Sequence, residues 1–161
     1  MGANLSFPNV VSCLASSTYI DRTRAMETII LAHQHMRWLV IGLAVITTIK
    51  LAISLFSGKG LGKADSILVR IYGLVVTIQV LIGMTQLAMR WGDFGDGLRY
   101  RLEHAFMMLV AMSMVHMTAR WRQAPPQIAV RNTTLMVFGS LVLIILAILI
   151  LPQGRSSLGL E

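Results

Sequence analysis

Four long stretches of apolar residues divide the chain, and they constrain its fold more than any other feature. The predicted membrane spans are residues 28–57, 71–89, 98–119 and 133–151. A helix needs about 20 apolar residues to cross the hydrocarbon core of a bilayer, and each stretch is close to that length or longer. No alternating strand pattern is present, and lipid offers no partner to an unpaired backbone group, so each span is predicted to be a helix.

The connections between the spans are short and rich in residues that break helices. The first holds three glycines, the second is rich in Gly and Asp, and the third contains two consecutive prolines. Short connections favour antiparallel neighbours. The chain is therefore predicted to be an all-α integral membrane protein, a four-transmembrane-helix up-down bundle over residues 26–152. A polar extension, 1–25, precedes the bundle, and a short tail, 153–161, follows it.

Composition supports a membrane protein and excludes several other classes. Hydrophobic residues make up 55% of the chain and charged residues 13%, which is far too apolar for an ordinary soluble domain. The net charge of +7 is explained by basic residues that flank the spans and meet anionic lipid. No basic stripe interleaved with aromatic residues occurs, so nucleic acid is excluded as a partner. Cys13 is the only cysteine, which excludes an intramolecular disulfide and cysteine-based clusters.

The orientation of the spans is decided by weak signals, because the basic residues that flank them are divided equally between the two sides. The lysines sit on or near the side of the first and third loops, whereas six of the seven acidic residues sit on the opposite side. We therefore predict that the first and third loops face the cytoplasm and that both termini lie outside it. The expected location is the bacterial inner (plasma) membrane.

Two histidine clusters lie at the heads of the first and third spans, on the same side of an up-down bundle. His33 and Arg37 are four residues apart and share a helix face, while His35 points to nearly the opposite side. His104 offers a partner from the third span. Facing helices of this kind hold haem through axial imidazoles. We predict that His33 and His104 bind the haem iron, with Arg37 reaching a haem propionate or a quinone oxygen.

Other residues leave alternatives open. His116 lies twelve residues after His104, about 18 Å along a helix. No histidine in the other spans lies at that depth, so His116 is a second-site or structural residue and one haem is favoured over two. Glu103 either orients His104 or pairs with Arg99 or Arg101. The methionines of the third span permit a copper site, but they are distributed around the helix, which favours packing.

The order of these motifs resembles a family. It runs from His33-x-x-x-Arg37-Trp38 through Lys63-Ala64-Asp65 and Glu103-His104-x-x-Met107-Met108 to His116 and Arg120. In this order the chain is similar to small bacterial four-span membrane proteins labelled "cytochrome b-like". The similarity covers about Met26 to Pro152, so Met26 is an alternative start of translation. The family pattern begins His-Ser-x-x-Arg-Trp, from which Gln34 and His35 depart. The resemblance implies a four-helix fold and haem b between the first and third helices, at His33 and His104.

The leading functional prediction is a b-type cytochrome-like subunit that transfers electrons or is linked to quinone in a respiratory or photosynthetic membrane complex. The spans leave almost no soluble mass, so larger membrane partners are expected. The main alternative is an accessory subunit without a cofactor, in which the histidines form hydrogen bonds within the bundle. A copper-handling membrane protein is a third.

Overall fold

The fold is a bundle of four long helices. In the computed structural model, which describes residues 10–92 and 95–151, the helices are α1 (Val10–Phe56), α2 (Lys63–Met89), α3 (Leu98–Met117) and α4 (Pro126–Ile150). Each contains a segment that is long and apolar enough to cross a membrane. No strand occurs among the described residues. The predicted all-α four-helix bundle is confirmed.

Helix packing follows the chain order. α1 packs on α2 and α4, and α3 packs on the same two helices, so the four form a closed arrangement. Fully buried alanines lie in α1, α3 and α4, at Ala44, Ala111 and Ala147. Small side chains let the backbones of membrane helices approach closely. The outer surface is also rich in large apolar side chains, Phe106 among them, as a surface that meets lipid requires.

Helix boundaries differ from the apolar stretches in the sequence. α1 begins at Val10, within the predicted polar extension, and α2 begins at Lys63, two turns before the second apolar stretch. Asp65 explains the early start of α2, because its carboxylate accepts the Gly62 backbone N–H at 2.9 Å and caps the first turn. Residues 1–9 and the predicted tail, 153–161, lie outside the described residues, as does the Cys13 side chain.

Polar side chains tie α2 to its neighbours away from the cavity described below. Asp65 is 4% exposed and accepts the Lys50 ammonium at 2.9 Å and the Ser54 hydroxyl at 3.0 Å, both from α1. Tyr72 meets Ser140 of α4 at 2.9 Å. Ser140 donates its own proton to a backbone carbonyl, so Tyr72 is the donor in this pair. These bonds fix the rotation of α2 relative to α1 and α4.

Candidate functional site: a cavity between two histidines

A cavity of about 320 Å³ lies near the end of the bundle where α2 ends and α3 begins. All four helices line it, and its volume is in the range of sites for small organic ligands. Its polar and small-residue lining includes His33, Arg37, Gln79, Gly83, Arg101 and His104. We call it the histidine cavity.

The structure brings His33 of α1 and His104 of α3 together across the cavity. Their ring centres are 6.5 Å apart and the ring planes make an angle of 70°. Both side chains are partly buried. Because a metal–imidazole bond is about 2 Å long, two imidazoles that bind one metal ion from opposite sides have ring centres roughly 6 Å apart. The observed separation is therefore close to that of an axial histidine pair.

His104 is held by a backbone carbonyl of the neighbouring helix. Its Nδ1 lies 2.7 Å from the carbonyl oxygen of Ala147 in α4. A carbonyl oxygen only accepts hydrogen bonds, so Nδ1 carries the proton in this contact. In the neutral ring, Nε2 then carries the lone pair. A second partner on the far ring nitrogen is the usual way in which proteins orient a metal-binding histidine.

His33 packs closely against α2. A β-carbon at Gly83 would lie 2.9 Å from His33 Cε1, so only glycine leaves room for the imidazole in this position. One turn earlier, Gln79 donates its side-chain amide to the His33 backbone carbonyl at 2.9 Å. His33 Nδ1 is buried and has no hydrogen-bond partner among the described residues.

Two arginines, Arg37 and Arg101, line the cavity. None of the described residues that line the cavity is acidic. Glu103 points elsewhere, since its carboxylate binds Arg99 at 2.8 Å, which resolves one of the alternatives left open by the sequence.

The Arg37 guanidinium lies near Trp38, but one of its nitrogens has no hydrogen-bond acceptor among the described residues. Its guanidinium carbon lies 5.3 Å from the ring centre of Trp38, the next residue in the chain. Its Nε is buried, and no described residue accepts a hydrogen bond from it. Since buried polar groups in folded proteins are nearly always hydrogen-bonded, an unsatisfied donor at a cavity wall indicates a place for an acceptor atom of a ligand.

The other two predicted histidines lie away from the cavity. His35 is exposed, and its Nδ1 meets the Leu31 carbonyl of its own helix at 2.8 Å. His116 is exposed on the other side of the bundle centre, where its Nε2 lies 2.8 Å from the Thr77 hydroxyl of α2. His116 therefore ties α3 to α2. The structure does not bring either histidine to His33 or His104.

Sequence reasoning missed Gln79 and Gly83. Gln79 is 3% exposed, and it is an amide near the middle of an otherwise apolar span. A buried polar group at that depth is expensive and is a functional candidate by default, so the signal was present. Gly83, four residues later on the same helix face, is where another element can approach closely.

No protein family model, curated protein or solved structure matches this chain. The cavity combines two imidazoles whose ring centres are 6.5 Å apart, an unsatisfied guanidinium nitrogen and a largely apolar remaining wall.

Proposed function

We propose that the protein is a b-type cytochrome-like membrane subunit that holds one haem b in the histidine cavity and transfers electrons. The observation that carries the proposal is the His33–His104 pair, whose ring centres are 6.5 Å apart at a cavity to which all four helices contribute. Haem b, when bound, supplies a one-electron couple at its iron.

The chain's own residues would each have a role at such a site. His33 and His104 would hold the haem iron, and the Ala147 carbonyl would keep the His104 ring in place. Arg37 would bind a propionate through the nitrogen that no described residue occupies. Apolar residues such as Val80, Met108 and Ile148 would form the wall of the slot and exclude water.

Two histidines from the protein would hold the haem iron, and haem b held by the protein in this way would supply one-electron transfer. The protein would then pass electrons between partners, which fits a subunit of a larger respiratory or photosynthetic membrane complex. We place the chain in the bacterial plasma membrane, with both termini and the cavity on the outer side.

An accessory subunit without a cofactor is the second candidate, and one observation favours it. His104 bonds to Ala147 and the backbone of His33 bonds to Gln79, so both residues already join helices without any ligand. In this role the histidines would be interhelical hydrogen-bonding groups of the kind common in membrane bundles.

A reduced-minus-oxidised absorption spectrum separates the two candidates. Protein purified in mild detergent from haem-replete cells should show a sharp b-type α band. The band should be lost in His33→Ala and His104→Ala but kept in His35→Ala, which changes an exposed histidine on the same helix as His33. A stable, colourless wild-type preparation would reject haem and leave the accessory role. Metal analysis of the same sample tests for copper.

A further inference from the structure

Gln79 and His33 each have a buried polar atom that lacks a hydrogen-bond partner among the described residues, and the two residues are in contact through other atoms. The Gln79 amide nitrogen donates to the His33 backbone oxygen at 2.9 Å. Gln79 Oε1 and His33 Nδ1 are both buried, and neither has a hydrogen-bond partner among the described residues. An amide oxygen only accepts a hydrogen bond, whereas an imidazole nitrogen can donate one. The two atoms therefore have complementary hydrogen-bonding capacity.

The orientation of the His33 ring places Nδ1 on the side of α2. Measured from the position that a β-carbon would take at Gly83, Cε1 is 2.9 Å away, Nδ1 is 3.4 Å away and Nε2 is 3.9 Å away. Nδ1 is thus the nearer nitrogen to α2. Gln79 lies one turn before Gly83 on the same face of that helix. Of the two ring nitrogens, Nδ1 therefore lies nearer to Gly83, on the face of α2 that also carries Gln79.

We infer that Gln79 is a positioning residue for His33, and that its Oε1 accepts the Nδ1 proton when the cavity is filled. This inference rests on the proposed haem function. The hydrogen bond fixes the tautomer of His33, so that Nε2 carries the lone pair. His104 has the same arrangement through the Ala147 carbonyl. Both imidazoles then have a protonated Nδ1 held by an oxygen of a neighbouring helix.

This pair of tautomers selects the class of ligand. Two Nε2 lone pairs bind an electron-pair acceptor such as a metal ion. They cannot donate a hydrogen bond to a quinone carbonyl, which is itself an acceptor. In this form the two histidines suit a metal-centred ligand.

Gln79 should also change the midpoint potential of the bound haem iron. An acceptor on the Nδ1 proton makes an imidazole a more basic ligand, and a more basic ligand favours the oxidised metal. Removing the acceptor should therefore shift the midpoint potential in the positive direction. A carboxylate in its place accepts the proton more strongly and should shift the potential in the negative direction.

The test compares full-length Gln79→Leu, Gln79→Glu and wild type by haem titration and by redox titration of the α band. We expect haem affinity to fall about 10-fold to 100-fold in Gln79→Leu, with a more positive potential. Gln79→Glu loses the donor to the His33 backbone carbonyl but keeps an acceptor for Nδ1, so it should retain haem and have a more negative potential than wild type. Thr85→Val is the matched control on α2, because the Thr85 side chain is exposed and its hydroxyl bonds to the Leu81 carbonyl of its own helix.

The possible results separate this inference from the proposed function. A wild type that takes up no haem rejects both. A wild type that binds haem, with unchanged potentials in both Gln79 variants, rejects the role of Gln79 and leaves the function intact. If Gln79→Leu does not fold, the nearly isosteric Gln79→Glu decides alone: a potential equal to that of wild type overturns the inference.

Discussion

The imidazole of His33 lies against the bare backbone of Gly83. A β-carbon at Gly83 would lie 2.9 Å from His33 Cε1, closer than a side-chain carbon normally approaches, and 3.4 Å from His33 Nδ1. The contact joins α1 to α2 at the wall of the histidine cavity. Because Gly83 has no side chain, the His33 ring can occupy its position at the surface of α2.

Gly83→Ala should therefore displace His33 without unfolding the bundle. Alanine favours a helix over glycine by about 1 kcal/mol, and the ring it meets is the end of a movable side chain. We expect thermal stability close to that of wild type. On the proposed haem function, we also expect about tenfold weaker haem binding in an absorbance titration. Gly42→Ala is the control, because no atom lies within 4 Å of a β-carbon there. Equal haem affinity in Gly83→Ala and Gly42→Ala would contradict the assigned role of the His33–Gly83 contact.

The ion pair at the other end of the bundle should contribute strongly to stability. Asp65 is buried and accepts hydrogen bonds from Lys50, Ser54 and the Gly62 backbone. Asp65→Leu removes all three bonds and should lower the free energy of unfolding by about 3 kcal/mol or more. Asp65→Asn keeps an acceptor oxygen and should cost less. Thermal unfolding in detergent, followed by circular dichroism, measures both.

Glu27, whose carboxylate is exposed, provides the control for removing the charge of Asp65. Glu27→Gln changes a side chain at the surface of α1 and should leave the unfolding temperature within the error of wild type, because exposed charges contribute little. If Asp65→Leu unfolds at the same temperature as Glu27→Gln, the Lys50–Asp65 pair does not stabilise the bundle.

Tyr72→Phe tests the hydrogen bond between α2 and α4. Tyr72 is fully buried, and its hydroxyl meets Ser140 at 2.9 Å. Ser140 keeps its own bond to the Val137 carbonyl after the substitution, so little desolvated polar surface is left behind. We expect a loss of about 0.5–1.5 kcal/mol in unfolding free energy. Tyr100→Phe, at an exposed tyrosine of α3, should have no measurable effect, and a similar loss in both variants would contradict the prediction.

Hydropathy predicts how deep each residue lies in the bilayer. The sequence therefore predicts at which end of the bundle a residue is found. The four spans and the placement of His33 and His104 on one side come from span order alone. The shared face of His33 and Arg37 follows from their spacing of four residues. All three features agree with the helices and the cavity that the structure shows.

Rotation about the helix axis is not predicted in the same way. Lipid and protein core are equally apolar, so a span has no strong contrast between an inner and an outer face. The inward orientation of Gln79 therefore becomes visible only when α1 and α2 are packed. The Lys50–Asp65 pair depends on the same packing. Asp65 is the only acidic residue between Glu27 and Asp93, a signal that could have identified it as the partner of the one lysine within a span.

Gly60→Ala and Gly139→Ala should differ in stability although both glycines lie close to a neighbour. A β-carbon at Gly60 would be 2.6 Å from Cβ of Pro126 and 3.4 Å from its Cα, and a proline at the start of α4 cannot move away without moving the helix. A β-carbon at Gly139 would be 2.5 Å from the terminal methyl of Met114, which can rotate aside.

We expect Gly60→Ala to lower the free energy of unfolding by about 1–3 kcal/mol, as for other overpacked sites. Gly139→Ala should be close to neutral, because the helix propensity gained by removing a glycine offsets the displacement of one flexible side chain. The measurement is thermal unfolding of both variants in the same detergent. Equal unfolding temperatures would show that the first loop moves aside at Gly60 as readily as the Met114 side chain does at Gly139. The contact of the loop with Pro126 would then not fix the start of α4.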